Sequence, residues 1–247
     1  MTAPVFIADT LAGAAAGGTV ALDGPEGRHA VSVRRLRVGE EVVLTDGAGR
    51  GVSGAVVAVE GKDRLTVQVA EVREEPAAQP RITVVQALPK GDRGELAVET
   101  MTETGVDAIV PWTAARCVTQ WRAERGTKAL AKWRATAREA GKQSRRLRFP
   151  EVTAAMTTRE VAEVLAGAAF AAVLHESGAR PLATAELPAQ GDIVLVVGPE
   201  GGVAPEELAA FAAAGAQPYR LGPSVLRTST AGTAALALLL GRTARWA

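Results

Sequence analysis

The chain has 247 residues, 47% hydrophobic and 22% charged, with a net charge of +1, a profile that excludes extended disorder. One cysteine (Cys117) and two histidines (His29 and His175) exclude a disulfide framework and a Cys/His zinc site within one chain, so we expect no metal. There is no secretory signal pattern, and the longest apolar run, Ala234 to Leu240, is far shorter than the roughly 20 residues of a membrane span. We therefore expect a cytoplasmic protein that does not bind a membrane.

Residues 1–75 predict short β-strands separated by glycine turns. The predicted strands are Glu41 to Thr45, Gly51 to Val59 and Leu65 to Val72, and the last of them alternates apolar and polar residues. We expect a small β-barrel here. The polar stretch Arg73 to Pro80 is expected to be a linker.

Residues 80–247 predict an α/β domain, because strands alternate with helices as in a mostly parallel sheet covered by helices. The predicted strands are Arg81–Leu88, Ala108–Pro111, Ala168–Leu174, Ile193–Val197 and Tyr219–Gly222. Helices are predicted after Asp92, over Thr127–Ser144, from Thr157 to Gly167, from Pro205, and over Thr230–Arg245. Two of the helix starts match capping boxes, Asp92 with Glu95 and Thr157 with Glu160.

The net charge of +1 conceals a basic segment between Pro111 and Pro150. It contains eleven basic residues and only two acidic ones, Glu124 and Glu139, a net charge of +9. Such a segment indicates a polyanionic partner such as RNA. The residues that we predict to bind RNA are Arg138, Lys142, Arg145, Arg146 and Arg148 in this segment, and Arg34, Arg35 and Arg37 in the barrel. The alternative is that the charged face of this segment is exposed only to solvent and binds no RNA. Trp112, Trp121 and Trp133 stack on bases, pack in the core or lie at the dimer interface.

A glycine-rich loop, Gly198-Pro199-Glu200-Gly201-Gly202, follows the strand Ile193–Val197. Ligands of open α/β sheets bind at the carboxyl ends of strands, where glycines let the backbone approach a ligand closely. The loop matches neither the dinucleotide pattern G-x-G-x-x-G nor the phosphate-binding pattern G-x-x-x-x-G-K. Taken alone, it is equally consistent with an ordinary strand-to-helix turn.

A second loop, Leu221-Gly222-Pro223-Ser224-Val225-Leu226-Arg227-Thr228-Ser229-Thr230-Ala231, leads into the last helix. Together the two loops resemble the SPOUT methyltransferases, and specifically the bacterial small-subunit ribosomal RNA uridine-N3 methyltransferase (RsmE) family. The resemblance extends to Lys90-Gly91-Asp92-Arg93, Glu103-Thr104-Gly105-Val106, Arg116-Cys117, the stretch Glu139 to Arg146, Pro150-Glu151-Val152, and His29 with Val33-Arg34-Arg35-Leu36-Arg37 and Gly39. Two positions depart from it, since the family pattern has Glu at Ser229 and often Arg at Ser224.

The resemblance implies a trefoil-knotted C-terminal domain, an N-terminal PUA-like RNA-binding domain, and a homodimer with active sites at the subunit interface. The residue pattern alone predicts no knot. The implied cofactor is S-adenosylmethionine, surrounded by main-chain groups of Leu174, His175, Gly198, Glu200, Gly201, Leu221, Gly222, Leu226 and Thr228. The implied reaction is methylation of uridine N3 in small-subunit (16S) ribosomal RNA, in a helix of the decoding centre, on naked RNA or on the assembled subunit.

Uridine N3 is a poor nucleophile while it is protonated, so cationic groups near the uracil oxygens favour transfer by stabilising negative charge. We predict that Arg227, in the second loop, and Arg116, at the end of a strand facing the site across the dimer, are catalytic. Glu200 either accepts a proton or holds the loop or the partner subunit. His175 is either structural or in contact with the cofactor.

Two other functions remain open. The first is ribose 2′-O methylation. Enzymes of the superfamily with this activity use asparagines in their motifs, and the absence of asparagine from this chain weighs against it. A non-catalytic RNA-binding factor for ribosome assembly is consistent with the departures at Ser224 and Ser229. A dimer is also expected because the apolar run Ala234 to Leu240 exceeds what one face of a monomer's sheet needs.

Overall fold

The computed structural model describes residues 3–246, which divide into two compact units. The first unit contains the chain up to Ala77 together with Gly141–Phe149, and the second contains Ala78–Ala140 and the chain from Pro150 onward. Within residues 3–246, no helix is long and apolar enough to cross a membrane.

The first unit is built on a five-stranded sheet with the strand order β1-β3-β4-β5-β2. Its elements are β1 (Val5–Ile7), β2 (Thr19–Leu22), α1 (Gly24–Arg28), a π-helical turn (His29–Val33), β3 (Glu41–Thr45), β4 (Arg50–Glu60) and β5 (Arg64–Glu74). β1 lies parallel to β3, and the other pairs are antiparallel. The three predicted strands are confirmed, and alternate residues of β4 and β5 point into one core around Phe6 and Leu44, as the two-residue period requires.

The segment Gly141–Phe149 packs on this sheet, which the predicted ranges 1–75 and 80–247 do not anticipate. Leu147 supplies a carbonyl that accepts hydrogen bonds from the Gly49 amide (3.0 Å) and the Thr45 hydroxyl (2.9 Å). Lys142 is only 7% exposed, and its Nζ lies 2.9 Å from Oε1 of Glu26. The prediction that Lys142 binds RNA is therefore wrong, because its ammonium group is buried in an ion pair that anchors the segment.

The second unit contains a seven-stranded, fully parallel sheet with the order β10-β12-β9-β11-β6-β7-β8. Its elements are β6 (Arg81–Ala87), α2 (Arg93–Thr104), β7 (Ala108–Trp112), α3 (Ala123–Gln143), β8 (Glu151–Val152), α4 (Thr158–Ala166), β9 (Phe170–Leu174), β10 (Arg180–Pro181), β11 (Asp192–Val197), α5 (Pro205–Ala213), β12 (Gln217–Arg220) and α6 (Thr228–Arg242). The predicted α/β pattern is confirmed. β11 is central and buried, which explains why its sequence is a continuous apolar run.

One of the two predicted capping boxes is present. The Thr157 hydroxyl accepts from the Glu160 amide, and the Glu160 carboxylate accepts from the Thr157 amide at 2.7 Å. The box at Asp92 is wrong, because Asp92 has φ −84° and ψ 2° rather than an extended backbone, and its side chain makes no capping bond. Glu95 pairs instead with Lys132 Nζ at 3.0 Å.

Helix α6, and the part of α3 up to Ala140, bury apolar residues within the second unit. Trp112 and Trp133 lie in the core, and Trp121 packs edge-to-face on Trp133 with ring centroids 4.9 Å apart. The core-packing alternative for these tryptophans therefore holds. In α6, Leu236, Leu239 and Leu240 are buried, so the surplus of apolar surface expected for Ala234–Leu240 is not observed and gives no argument for a dimer.

Candidate functional site

A cleft of about 540 Å³ lies where β9, β11 and β12 end. It is lined by the residues that follow these strands, at 174–176, 197–203 and 220–228, and by Arg93, Arg116 and Ala231. This is the carboxyl edge of the parallel sheet, where ligands of open α/β folds bind. The volume falls within the roughly 300–1,000 Å³ of small-molecule sites.

All the residues predicted to surround a cofactor line this one cleft, and so do both predicted catalytic arginines. The structure thus brings together Leu174, His175, Gly198, Glu200, Gly201, Leu221, Gly222, Leu226, Thr228, Arg116 and Arg227. Their roles in binding and catalysis stay predictions at this stage. The two loops adjoin although they are separated by a helix and a strand in sequence.

A buried side-chain network fixes the start of the glycine-rich loop. The Thr228 hydroxyl donates to the Gly198 carbonyl (2.8 Å) and accepts from Nε2 of Gln86 (3.0 Å), which is fully buried. Gly202 has a left-handed φ of +74°, and its amide donates to the Pro199 carbonyl in a tight turn. The network joins α6, β6 and the loop after β11.

The side chain of Glu200 also holds the loop, through contacts with the segment before α2 and with the first residue of that helix. Its Oε1 accepts a hydrogen bond from the Lys90 amide (3.1 Å) and lies 3.5 Å from Nη1 of Arg93. A carboxylate engaged in this way is suited to holding the loop rather than to accepting a proton. The geometry therefore supports the structural alternative for Glu200.

The prediction that Arg116 ends a strand is wrong, because β7 stops at Trp112 and Arg116 lies in a turn beyond it. Its side chain reaches the glycine-rich loop of its own chain, with Nη1 3.1 Å from the carbonyl oxygen of Gly201. The turn is close-packed on this loop, since a Cβ on Gly201 would lie 3.2 Å from Cβ of Arg116. Arg116 is thus part of the site within one chain.

Arg227 is the N-cap residue of α6, and its carbonyl accepts from the amides of Thr230 and Ala231. Its side chain is exposed at the cleft. His175 takes part in a local turn, where Nδ1 lies 2.7 Å from the Ser177 hydroxyl and accepts from the Ser177 amide. Both alternatives for His175 are thus compatible with its position, because it lines the cleft as well.

Sequence reasoning missed two further arginines of the cleft, Arg93 and Arg220. Arg93 belongs to the Lys90–Arg93 motif that carried part of the family resemblance, and Arg220 is the last residue of β12. The rule that sites form at the carboxyl ends of strands could have identified Arg220. Four arginines line the cleft beside two carboxylates, Glu176 and Glu200, so the cleft suits an anionic ligand.

Most of the residues predicted to bind RNA are accessible. Arg34, Arg35 and Arg37 are exposed in the first unit, where Arg35 has a left-handed φ of +58°. Arg138, on α3, is exposed. Arg145, two residues after the end of α3, is also exposed, whereas Arg146 is half-buried. Arg148 is half-buried and donates to the Glu75 carbonyl at 2.8 Å, so it anchors the segment Gly141–Phe149 together with Lys142.

Two family models match separate parts of the chain. A model described as "RNA methyltransferase domain" matches residues 75–240, and one described as "RNA methyltransferase PUA domain" matches residues 22–70. The whole chain is 46% identical to ribosomal RNA small subunit methyltransferase E of Mycobacterium tuberculosis and covers 94% of it. The corresponding protein of Bacillus subtilis is 27% identical over 90% of this chain and 89% of its own length.

Solved structures of methyltransferases are also similar to this chain over nearly its whole length. The crystal structure of ribosomal RNA small subunit methyltransferase E from Neisseria gonorrhoeae bound to S-adenosyl methionine has a TM-score of 0.85 and 29% identity, and the match covers 98% of both chains. A Legionella pneumophila methyltransferase in complex with the same cofactor has a TM-score of 0.85 and 27% identity over 98% of this chain and 99% of that one.

Proposed function

The chain belongs to the ribosomal RNA small subunit methyltransferase E family, and from this premise we propose that it transfers a methyl group from S-adenosylmethionine to N3 of a uridine in 16S ribosomal RNA, in a helix of the decoding centre. The observation that carries the proposal is the cleft at the carboxyl ends of β9, β11 and β12. It combines two loops suited to a cofactor with arginines suited to RNA.

The loops fit the proposed cofactor. S-adenosylmethionine, when bound, supplies an electrophilic methyl group on a cationic sulfonium. The main-chain groups after β9, β11 and β12 would hold it, and a Cβ on Gly222 would meet nothing within 4 Å, so the backbone there is open to a ligand. The cofactor has one carboxylate and a net positive charge, and Arg93 pairs with Glu200, so the cofactor does not account for all four arginines and leaves at least two for an anionic second substrate.

The arginines supply the chemistry that N3 requires. As the N3 proton leaves, negative charge spreads onto the uracil oxygens, and a preoriented guanidinium stabilises that charge. Arg227 and Arg116 are our candidates, because both reach the cleft and Arg116 is fixed by the Gly201 carbonyl. The neighbouring Cys117 is unsuited to covalent attack on a pyrimidine, since burial raises the pKa of its thiol and keeps it protonated.

The remaining features of the family are proposed on the same premise. We propose a PUA-like RNA-binding domain over 1–75, a knotted methyltransferase domain over 80–247, action in the cytoplasm, and a homodimer. The homodimer and the knot are proposed on the family premise alone.

The RNA surface is proposed to include Arg34, Arg35, Arg37, Arg138, Arg145 and Arg146. We expect the variant R138E/R145E to weaken binding of small-subunit RNA without changing cofactor affinity. Each lost phosphate contact should lower the slope of log affinity against log salt by roughly 0.7 to 0.9. Fluorescence anisotropy at several salt concentrations measures this slope.

The matched control for this variant is Arg159→Glu, because Arg159 is an exposed arginine on α4, outside the basic segment. It should leave the slope unchanged. An unchanged slope for R138E/R145E, or an equal change in the control, would mean that the basic segment only faces solvent.

Calorimetry separates this proposal from a non-catalytic assembly factor. We expect titration of the purified protein with S-adenosylmethionine to give saturable heat with one site per chain. The absence of binding heat would favour the assembly factor. Ser229 is buried where the family pattern has Glu, so this titration also tests whether the serine is compatible with a working site.

A further inference from the structure

Glu207 is a carboxylate in the interior of the second unit, only 5% exposed. It accepts three hydrogen bonds: Oε1 from the Ala115 amide (2.8 Å) and the Thr158 hydroxyl (2.9 Å), and Oε2 from the Ala204 amide (3.1 Å). Two of these donors come from separate segments, the turn after β7 and the start of α4. The third, Ala204, is the N-cap residue that joins the glycine-rich loop to α5, the helix that carries Glu207. Trp112 extends the network, because its Nε1 donates to the Thr158 hydroxyl at 3.2 Å.

The bond to the Ala204 amide is a capping interaction of α5 itself, but capping does not explain the bonds to Ala115 and Thr158 or the burial of the carboxylate. An acid in the first turn of a helix interacts favourably with the helix dipole from an exposed position, which the neighbouring Glu206 already occupies. Removing a carboxylate from water is unfavourable unless hydrogen bonds compensate. The position of Glu207 is therefore explained by the segments that it joins.

Two of those segments meet again at the cleft. The turn that begins at Ala115 carries Arg116, and the loop that ends at Ala204 carries Gly201, whose carbonyl accepts from Arg116 at 3.1 Å. Glu207 thus ties together, behind the cleft, the same two segments that Arg116 joins at its surface. The guanidinium of Arg116 can hold one position over the loop only while both segments are held in register.

We propose that Glu207 is a positioning residue for methyl transfer, which sets the place of Arg116 over the glycine-rich loop without touching either substrate. This inference rests on the proposed function, in which Arg116 stabilises charge on the uracil. Displacement of a catalytic group by about 1 Å can cost roughly 100-fold in rate. Glu207 therefore affects turnover through Arg116 more strongly than it affects cofactor binding.

The test is a double-mutant cycle of Glu207→Gln and Arg116→Ala, with kcat and KM measured for methyl transfer. The amide keeps one oxygen for Ala115 and Thr158 but turns an NH₂ group toward the Ala204 amide, so one bond is lost. We expect E207Q to lower kcat by roughly 10- to 100-fold with a smaller change in the cofactor KM. In the R116A background, E207Q should lower kcat by less than about threefold, because the positioned group is absent.

Glu206→Gln is the matched control, since it is the adjacent acid in the same helical turn and is exposed. Its kcat should stay at the wild-type value. If the effects of E207Q and R116A multiply, or if E207Q behaves like E206Q, the inference is wrong. Absence of transfer by the wild-type protein would instead contradict the proposed function.

A second variant tests the same inference if E207Q does not fold. Thr158→Val removes one donor to Glu207 and nearly preserves the side-chain volume. We expect a loss of kcat of roughly fivefold that disappears in the R116A background. An equal loss in both backgrounds, or no loss in either, would overturn the inference.

Discussion

Replacing Arg227 by Ala is expected to lower kcat of methyl transfer by roughly 100-fold, because removal of one preoriented charge-stabilising donor typically costs 100- to 1,000-fold. The Arg227 side chain is exposed at the cleft, at the start of α6, where it can face an incoming base. The groups proposed to hold the cofactor belong to the main chain and are unchanged by this substitution. The cofactor Kd should therefore change by less than about threefold.

Single-turnover transfer to small subunits, together with calorimetry of cofactor binding, measures both quantities. Arg159→Ala is the control, because Arg159 is exposed on α4 and does not line the cleft. It should leave both values at the wild-type level. If R227A lost cofactor affinity in proportion to turnover, Arg227 would be a cofactor-binding residue rather than a catalytic one.

Replacing Thr228 by Val is expected to destabilise the second unit by about 3 kcal/mol and to weaken cofactor binding roughly tenfold. The two side chains have similar shapes, but valine leaves the Gly198 carbonyl and Nε2 of Gln86 without the hydroxyl that both now contact. A buried polar group that loses its partner costs about 1–3 kcal/mol. Gly198 begins the glycine-rich loop, so the cofactor site is affected as well.

Chemical denaturation and cofactor titration measure these two effects. Thr230→Val is the matched control, because Thr230 is exposed one half-turn further along α6 and donates only to the Arg227 carbonyl. We expect a change below about 0.5 kcal/mol for this variant. Equal stabilities of T228V and T230V would show that the buried network does not stabilise the loop.

The fold could be predicted wherever an element is long enough to show its period. β4 and β5 each have 11 residues, β5 alternates clearly, and β11 is a continuous apolar run. The short strands β1, β2, β8 and β10, of two to four residues, were missed because such lengths contain no complete pattern. Their pairing is decided by the neighbouring strands rather than by their own residues.

The site could be predicted as a set of loops but not as a set of contacts. Glycines at strand ends and the family resemblance identified both loops of the cleft. The partners of Glu207 and Lys142 could not be inferred, because Glu207 is 92 positions from Ala115 and Lys142 is 116 positions from Glu26. In sequence, both side chains look like members of exposed charged stretches, and only the folded chain distinguishes them from solvated charges.

The position of the methyl group is the most direct measurement of the proposed function. Purified protein is incubated with labelled S-adenosylmethionine and unmethylated small subunits, and the RNA is then examined by reverse transcription and nucleoside mass spectrometry. N3 lies on the pairing edge of uracil, so its methylation should arrest reverse transcriptase at one decoding-centre uridine, and the label should be found in 3-methyluridine. Label on a ribose or on another base, without such an arrest, would contradict the proposed reaction.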